Sequence, residues 1–298
     1  ISGTGSLTIA PQTVSRNINI GGATGALDID DAELALLADG FSAITIGRAD
    51  GTGAVAVDTA SFVDSVTLLG GEATLAGLTT SQDNASITVT TAATTGVTVT
   101  GAVTAHGSGA VDINSGAGFT LNDGITLSST TGAIAIDTTG ANSLTVNGDV
   151  TTSGAGTITL TGSDAVTMDA TSLVQAGGAV SMTAGAGDVT LDVVTSTSST
   201  VTIDATASGS ILAADGTNAV SGTVGEELTA GESFILQAVQ QLKSTAENDV
   251  ATSISISEIV LGNDKLIARL RTDVFGQAVD DDTIVKARTT QNDTELLH

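Results

Sequence analysis

The fold this sequence predicts is all-β: a single parallel β-helix, a solenoid in which short strands stack one coil per repeat. Three observations predict it. A strand-sized unit recurs through the middle of the chain, with alternating apolar residues leading into Asn, Asp, Ser or Thr and then Gly, as at Val111-Asp-Ile113, Phe119-Thr-Leu121 and Ile134-Ala-Ile136. Taken every second time, the inward residues form two ladders. One is Ile113, Ile136, Leu160, Met182, Ile203, with steps of 23, 24, 22 and 21; the other is Val99, Leu121, Val146, Met168, Leu191, Leu212, with steps of 22, 25, 22, 23 and 21. A near-constant period of about 22 residues built from short strands marks a solenoid. The third observation is composition. Five Phe, no Tyr and no Trp leave a core of Val, Ile, Leu and Ala, which suits a narrow β-coil. One Pro spares the backbone N–H groups that each coil must donate, and 36 Gly supply the corners.

Taken in order, residues 1–50 form an N-terminal segment of strands and a capping helix. Leu7–Ile9, Ile18–Ile20, Ala26–Ile29 and Ala43–Ile46 read as strands. Between them, Asp30–Leu37 reads as a short helix whose acidic first turn suits the helix dipole, with Gly40 placed to end it. Such a helix can plug the open end of a solenoid and cover its exposed edge. Residues 51–222 are the coils. At about 22 residues each they make about eight turns, a rod on the order of 40 Å long at the usual inter-strand spacing. Asn122, Asn147, Asp169 and Asp192 recur at its corners, where short polar side chains can bond local backbone and accept unusual dihedrals. Residues 223–298 read as a small α+β element. Thr229 and Glu232 form a capping box ahead of a helix over Ser233–Leu242, and strands follow at Ser253–Ile256, Leu266–Arg271 and Thr283–Arg288.

Charge narrows the partners. There are 33 acids against 8 bases, a net charge of −25, and no Lys or Arg lies between Ala49 and Leu242. An acidic rod repels phosphate, so nucleic acid and anionic membrane are poor partners, and no apolar run approaches the ~20 residues of a membrane span. The regular alternation and a mean hydropathy of +0.32 separate the chain from Gly/Ser-rich disorder. No cysteine is present, so no disulfide or thiolate site is available. A chain opening on Ile1 reads as processed or cut from something longer.

Gly3-Thr-Gly-Ser-Leu-Thr-Ile-Ala-Pro11, Asp31-Ala-Glu-Leu34 and Asp39-Gly-Phe-Ser-Ala-Ile-Thr-Ile-Gly-Arg-Ala-Asp50 resemble an element of the filamentous-haemagglutinin-like adhesins, very large repetitive β-helical bacterial surface proteins. The resemblance covers about 50 residues by motif and about 170 more by repeat style. It implies a right-handed parallel β-helix and an extracellular, cell-surface location.

Candidate chemistry is sparse. Polysaccharide-acting β-helix enzymes need paired carboxylates with Arg, Lys or His beside them. Asp188 with Asp192, or Asp164 with Asp169, are such pairs, but the coil zone has a single His and no Lys or Arg, and strand-end Asp is a common corner residue. His106, in Thr-Ala-His-Gly-Ser-Gly, reads as a loop tip. Hard oxygen ligands crowd at Asp28, Asp30, Asp31 and Glu33, and again at Asp280–Asp282, which suits Ca²⁺; helix-dipole complementarity and a solvated loop explain the same clusters without metal. Thr-x-Thr ranks at Thr88/Thr90 and Thr98/Thr100 suggest an ice-binding face, but they do not persist in later coils.

The leading expectation is a non-enzymatic structural protein: a subunit of a self-assembling surface filament, partnered by copies of itself. Leu7, Ile9, Ile18 and Ile20 lie in alternating strands with few charges and are the candidate polymer contacts. The basic C-terminal zone would meet an acidic rod head to tail. The alternative is a cell-surface adhesin segment binding a host or matrix ligand, with a carbohydrate or other surface ligand as its partner, and the more distant one is a polysaccharide-acting β-helix enzyme. An adhesin calls for exposed aromatics on the rod, where only Phe62 and Phe119 occur.

Overall fold

The computed structural model describes residues 1–22, 27–206 and 209–214, and beyond them the strands 219–221, 226–230, 253–262, 265–273, 286–290 and 293–297. It is a parallel β-solenoid of about eight turns with coils of about 22 residues and almost no helix. The regular coils contribute one strand to each of three faces. The first face stacks Ser6–Ile9, Ala43–Gly47, the leading parts of Val66–Leu75 and Ile87–Val99, then Val111–Ser115, Ile134–Thr138, Ile158–Gly162, Val180–Ala184, Val201–Ala205 and Glu226–Ala230. The second face runs from Ile18–Ile20 and Ala54–Val57 through Phe119–Leu121, Leu144–Val146 and Val166–Met168 to Ile211–Ala213. The third is an eight-stranded sheet from Ala60–Phe62 to Ala219–Ser221.

The stacking register follows from the two-residue side-chain period. A slip of one residue would turn every apolar side chain outward, so the alternation fixes the register. The first predicted ladder is realised rung by rung: Ile113 lies opposite Ile136, Ile136 opposite Leu160, Leu160 opposite Met182, and Met182 opposite Ile203, each 0% exposed. In the second ladder Val99, Leu121, Val146 and Met168 stack as expected, but the last step needs correction. Ala213 lies opposite Leu191, and Leu212 faces Thr190. The apolar pair Ile211-Leu212 offers two registers, and the buried one places Ile211 under Val189, where it is 3% exposed.

The corners hold a feature the sequence hides. Several inward positions at strand ends are Ser or Thr, and their hydroxyls are spent on the corner backbone. Ser129 Oγ donates to the Gly109 carbonyl at 2.7 Å and accepts from the Gly132 N–H at 2.9 Å. Thr152 donates to Gly132 O at 2.9 Å, Ser196 to Gly178 O at 2.7 Å, and Thr80 to Ala85 O at 2.7 Å. A buried hydroxyl with such a partner removes the desolvation penalty and ties one coil to the next. The corner residues Asn122, Asn147 and Asp169 use their backbone N–H groups to bond Val99, Leu121 and Val146 in the preceding coil. They do not take up left-handed backbone; among the described non-glycine residues Asn84 alone does so, at φ 75°.

The helix is shorter than expected. It spans Asp31–Leu34, with Asp30 as N-cap and Ala35 as C-cap, and Leu34 inserts into the core. Gly40 does not end it. Instead Gly40 turns at φ 120°, and the N–H groups of Gly40 and Phe41 both donate to the Asp64 carboxylate, at 3.3 and 3.0 Å. One turn suffices because that clasp and the burial of Phe41 take over the anchoring. The predicted C-terminal helix over Ser233–Leu242 lies outside the described residues. The described strands there include Ser253–Gly262 paired antiparallel with Lys265–Asp273, which itself pairs antiparallel with Glu226–Ala230.

Candidate functional site

The N-terminal end of the solenoid gathers most of the candidate residues. On the second face Ile18–Ile20 is flanked on both sides, by Ala54–Val57 and by Leu27–Ile29, which folds back as an outer parallel strand. On the third face the short helix Asp31–Leu34 packs against Ala60–Phe62. On the first face Ser6–Ile9 pairs with Ala43–Gly47 along one edge, and among the described residues nothing pairs with the other. Two faces are therefore covered and one is open.

This sorts the four candidate polymer contacts. Ile18 and Ile20 are 3% and 0% exposed in a strand with both edges filled, so they belong to the core and offer no edge. The fold-back of Leu27–Ile29 is the physical reason. Leu7 and Ile9 lie in the open strand, half-buried against the core, while Ser6 and Thr8 point outward.

The acidic cluster at the same end is occupied by local structure. Asp30 Oδ1 accepts from the Glu33 N–H at 2.8 Å, and the Asp30 N–H donates to Glu33 Oε2 at 3.2 Å, a reciprocal capping box. Asp31 and Glu33 stand in the first helical turn, where negative charge is favourable. Asp28 is exposed in the outer strand opposite Asn19. Among the described residues no three His, Cys, Asp or Glu side chains are grouped to hold a metal ion. The Asp280–Asp282 run lies outside the described residues.

Other candidates resolve similarly. Asp188 accepts from the Ser210 N–H at 2.7 Å and Asp164 from Ser143 Oγ at 3.2 Å, so each braces an adjacent coil; Asp192 is buried and Asp169 exposed. His106 Nδ1 lies 2.9 Å from Asp83 Oδ1, linking two exposed loop tips in adjacent coils. Arg48 holds Asp50 through two contacts at 2.8 and 2.9 Å and reaches the Pro11 and Gln12 carbonyls. The guanidinium's hydrogen bonds, and its charge, hold the Asp50 carboxyl below the usual carboxylate range.

One surface feature was missed by sequence reading. Thr74, Thr98, Thr120, Thr145, Thr167 and Thr190 stack in register along the outside of the second face. The column is one residue wide. The Thr88/Thr90 rank gives way in the next coil to Asp112 and Asn114, and beside Thr98 the next coil places Thr120 followed by Asn122. β-branched side chains favour outward sheet positions and pair across strands, which accounts for the column. Its signal in the sequence was the lone Thr between two apolar residues in these six second-face strands.

Among the described residues no helix is long and apolar enough to cross a membrane. No protein-family model matches the chain, and neither a curated protein nor a solved structure matches it. The class is thus defined by architecture: an all-β parallel solenoid, open among the described residues on one face at its N-terminal end.

Proposed function

We propose that the chain is an extracellular structural protein, a subunit of a surface filament whose copies join end to end. The observation that carries this reading is the unequal finish of the N-terminal end, where Leu27–Ile29 and the helix cover two faces and, among the described residues, nothing pairs with the outer edge of Ser6–Ile9 on the remaining one. In this reading the helix is a partial cap. An unpaired row of N–H and C=O groups is a template for another strand, and proteins that must stay apart block such edges with Lys, Pro or a bulge. Residues 1–15 carry no charged side chain, and Pro11 falls after the strand. A contact between one end of a rod and the opposite end of the next is heterologous, so it propagates as a filament unless its rotation closes a ring. The β-x-β connections of a parallel sheet are overwhelmingly right-handed, which supports a right-handed coil.

The test is imaging and sedimentation of the purified chain beside Thr8→Pro. Thr8 is exposed, and Pro there removes an edge donor without touching the apolar interior. Wild type is expected to form filaments, and Thr8→Pro to remain monomeric with an unchanged β-sheet circular dichroism spectrum. A wild-type chain that stays monomeric at high concentration overturns the reading.

A further inference from the structure

The first face has two outermost strands, and they match. At one end is Ser6–Ile9; at the other, the antiparallel pair after Glu226–Ala230 leaves Ser253–Gly262 outermost, with no partner on its far side among the described residues. Two successive antiparallel pairings reverse direction twice. Ser253–Gly262 therefore runs the same way as every parallel strand of the first face. The two edges also share a pattern: Ser6-Leu-Thr-Ile9 and Ser253-Ile-Ser-Ile256 each read polar, apolar, polar, apolar. Ser253–Ile256 keeps regular register with Leu270–Asp273, and the shift in that ladder comes only between Ile256 and Glu258.

Resting on the end-to-end reading above, we infer that the strand completing the open N-terminal edge is Ser253–Ile256 of a second copy. The pairing is parallel, with Ser6 opposite Ser253 and Thr8 opposite Ser255. Main-chain bonds supply the affinity, and the shared two-residue alternation sets the register by keeping Leu7 and Ile9 on the apolar side. The contact continues the parallel direction of the first face from one rod into the next. The shared direction of the two edges favours this order of ends over a head-to-head contact, which would pair the two Ser6–Ile9 edges antiparallel.

The cysteine-free chain allows a direct test. Thr8→Cys and Ser255→Cys are made singly and together in the full chain and oxidised under assembling conditions. Adjacent strands bring Cα atoms within disulfide range. The double variant is expected to give a ladder of covalent oligomers, and an equimolar mixture of the two single variants to give covalent dimers, with peptide mapping placing the bond between the two substituted positions. Filaments that form without this cross-link overturn the inference while leaving end-to-end assembly standing. So does a bond joining two Thr8→Cys chains, which marks a closed head-to-head dimer. Absence of any wild-type filament overturns both.

Discussion

Gly132 shows how little room a coil corner leaves. A Cβ placed there would lie 2.1 Å from the Gly109 carbonyl oxygen of the coil below, where the neighbour is backbone and cannot rotate away. The Gly132 N–H also serves the buried Ser129 hydroxyl. Gly132→Ala is expected to destabilise by about 1–3 kcal/mol through overpacking. Ile136→Ala, which empties a fully buried ladder position, is expected to cost about 2–5 kcal/mol. Urea midpoints for both variants check this; a Gly132→Ala protein as stable as wild type would mean the corner is free to shift. Individual residues also set the limit of what could be read in advance. Ile136 was legible because its environment repeats every coil. Ser129, Thr152 and Ser196 were not, because a hydroxyl residue in an alternating strand carries the same letter whether it points to water or to a corner carbonyl. Leu212 was misplaced because Ile211-Leu212 breaks the alternation, and only burial decides which of the two turns inward.

Among the elements, the single-turn helix is the most dependent on its ends. Helix nucleation is unfavourable, so four residues hold together only through caps and packing. Asp30 provides the cap and Leu34 the packing. Asp30→Ala is expected to cost about 1 kcal/mol and to raise amide exchange across residues 31–37, whereas Asp30→Asn should lose much less. Because the carboxylates of Asp30 and Glu33 are already bonded to backbone N–H groups, the effect should be the same in excess EDTA and in millimolar Ca²⁺. A Ca²⁺-dependent rise in melting temperature that disappears in Asp30→Ala would instead assign these acids to a cation. The strand content of this end was visible in the alternation, but the partner of Ile18–Ile20 was not. A strand that folds back outside its predecessor leaves no periodic trace, since the repeat has not yet begun. The alternation therefore could not separate the four candidate contacts, of which Leu7 and Ile9 lie in an edge strand and Ile18 and Ile20 inside.

At the scale of the whole molecule, the rod is a stack in which each coil touches only its neighbours. Stability is then close to a sum of coil terms and nearest-neighbour interfaces, and coils are exchangeable where their registers agree. The first face makes this testable, because Val111–Ser115 lies on Ile134–Thr138 and Ile134–Thr138 on Ile158–Gly162 with aligned apolar positions. Deleting residues 134–157 joins Ala133 to Ile158 and sets Ile158 over Val111, where Ile134 had been. The same cut takes Leu144–Val146 from the second face and Asp149–Thr152 from the third, so every sheet loses one rung and none loses its register. The shortened protein is expected to fold, to unfold cooperatively, and to show a smaller denaturant m-value in proportion to the surface removed. Deleting 134–145 instead removes half a coil and sets the Val146 strand against the first face out of phase. That chain should lose cooperative unfolding and expose apolar surface to dye binding. If both deletions behave alike, neighbour-to-neighbour register is not what organises the rod, and a globular account of its stability would have to replace the solenoid one.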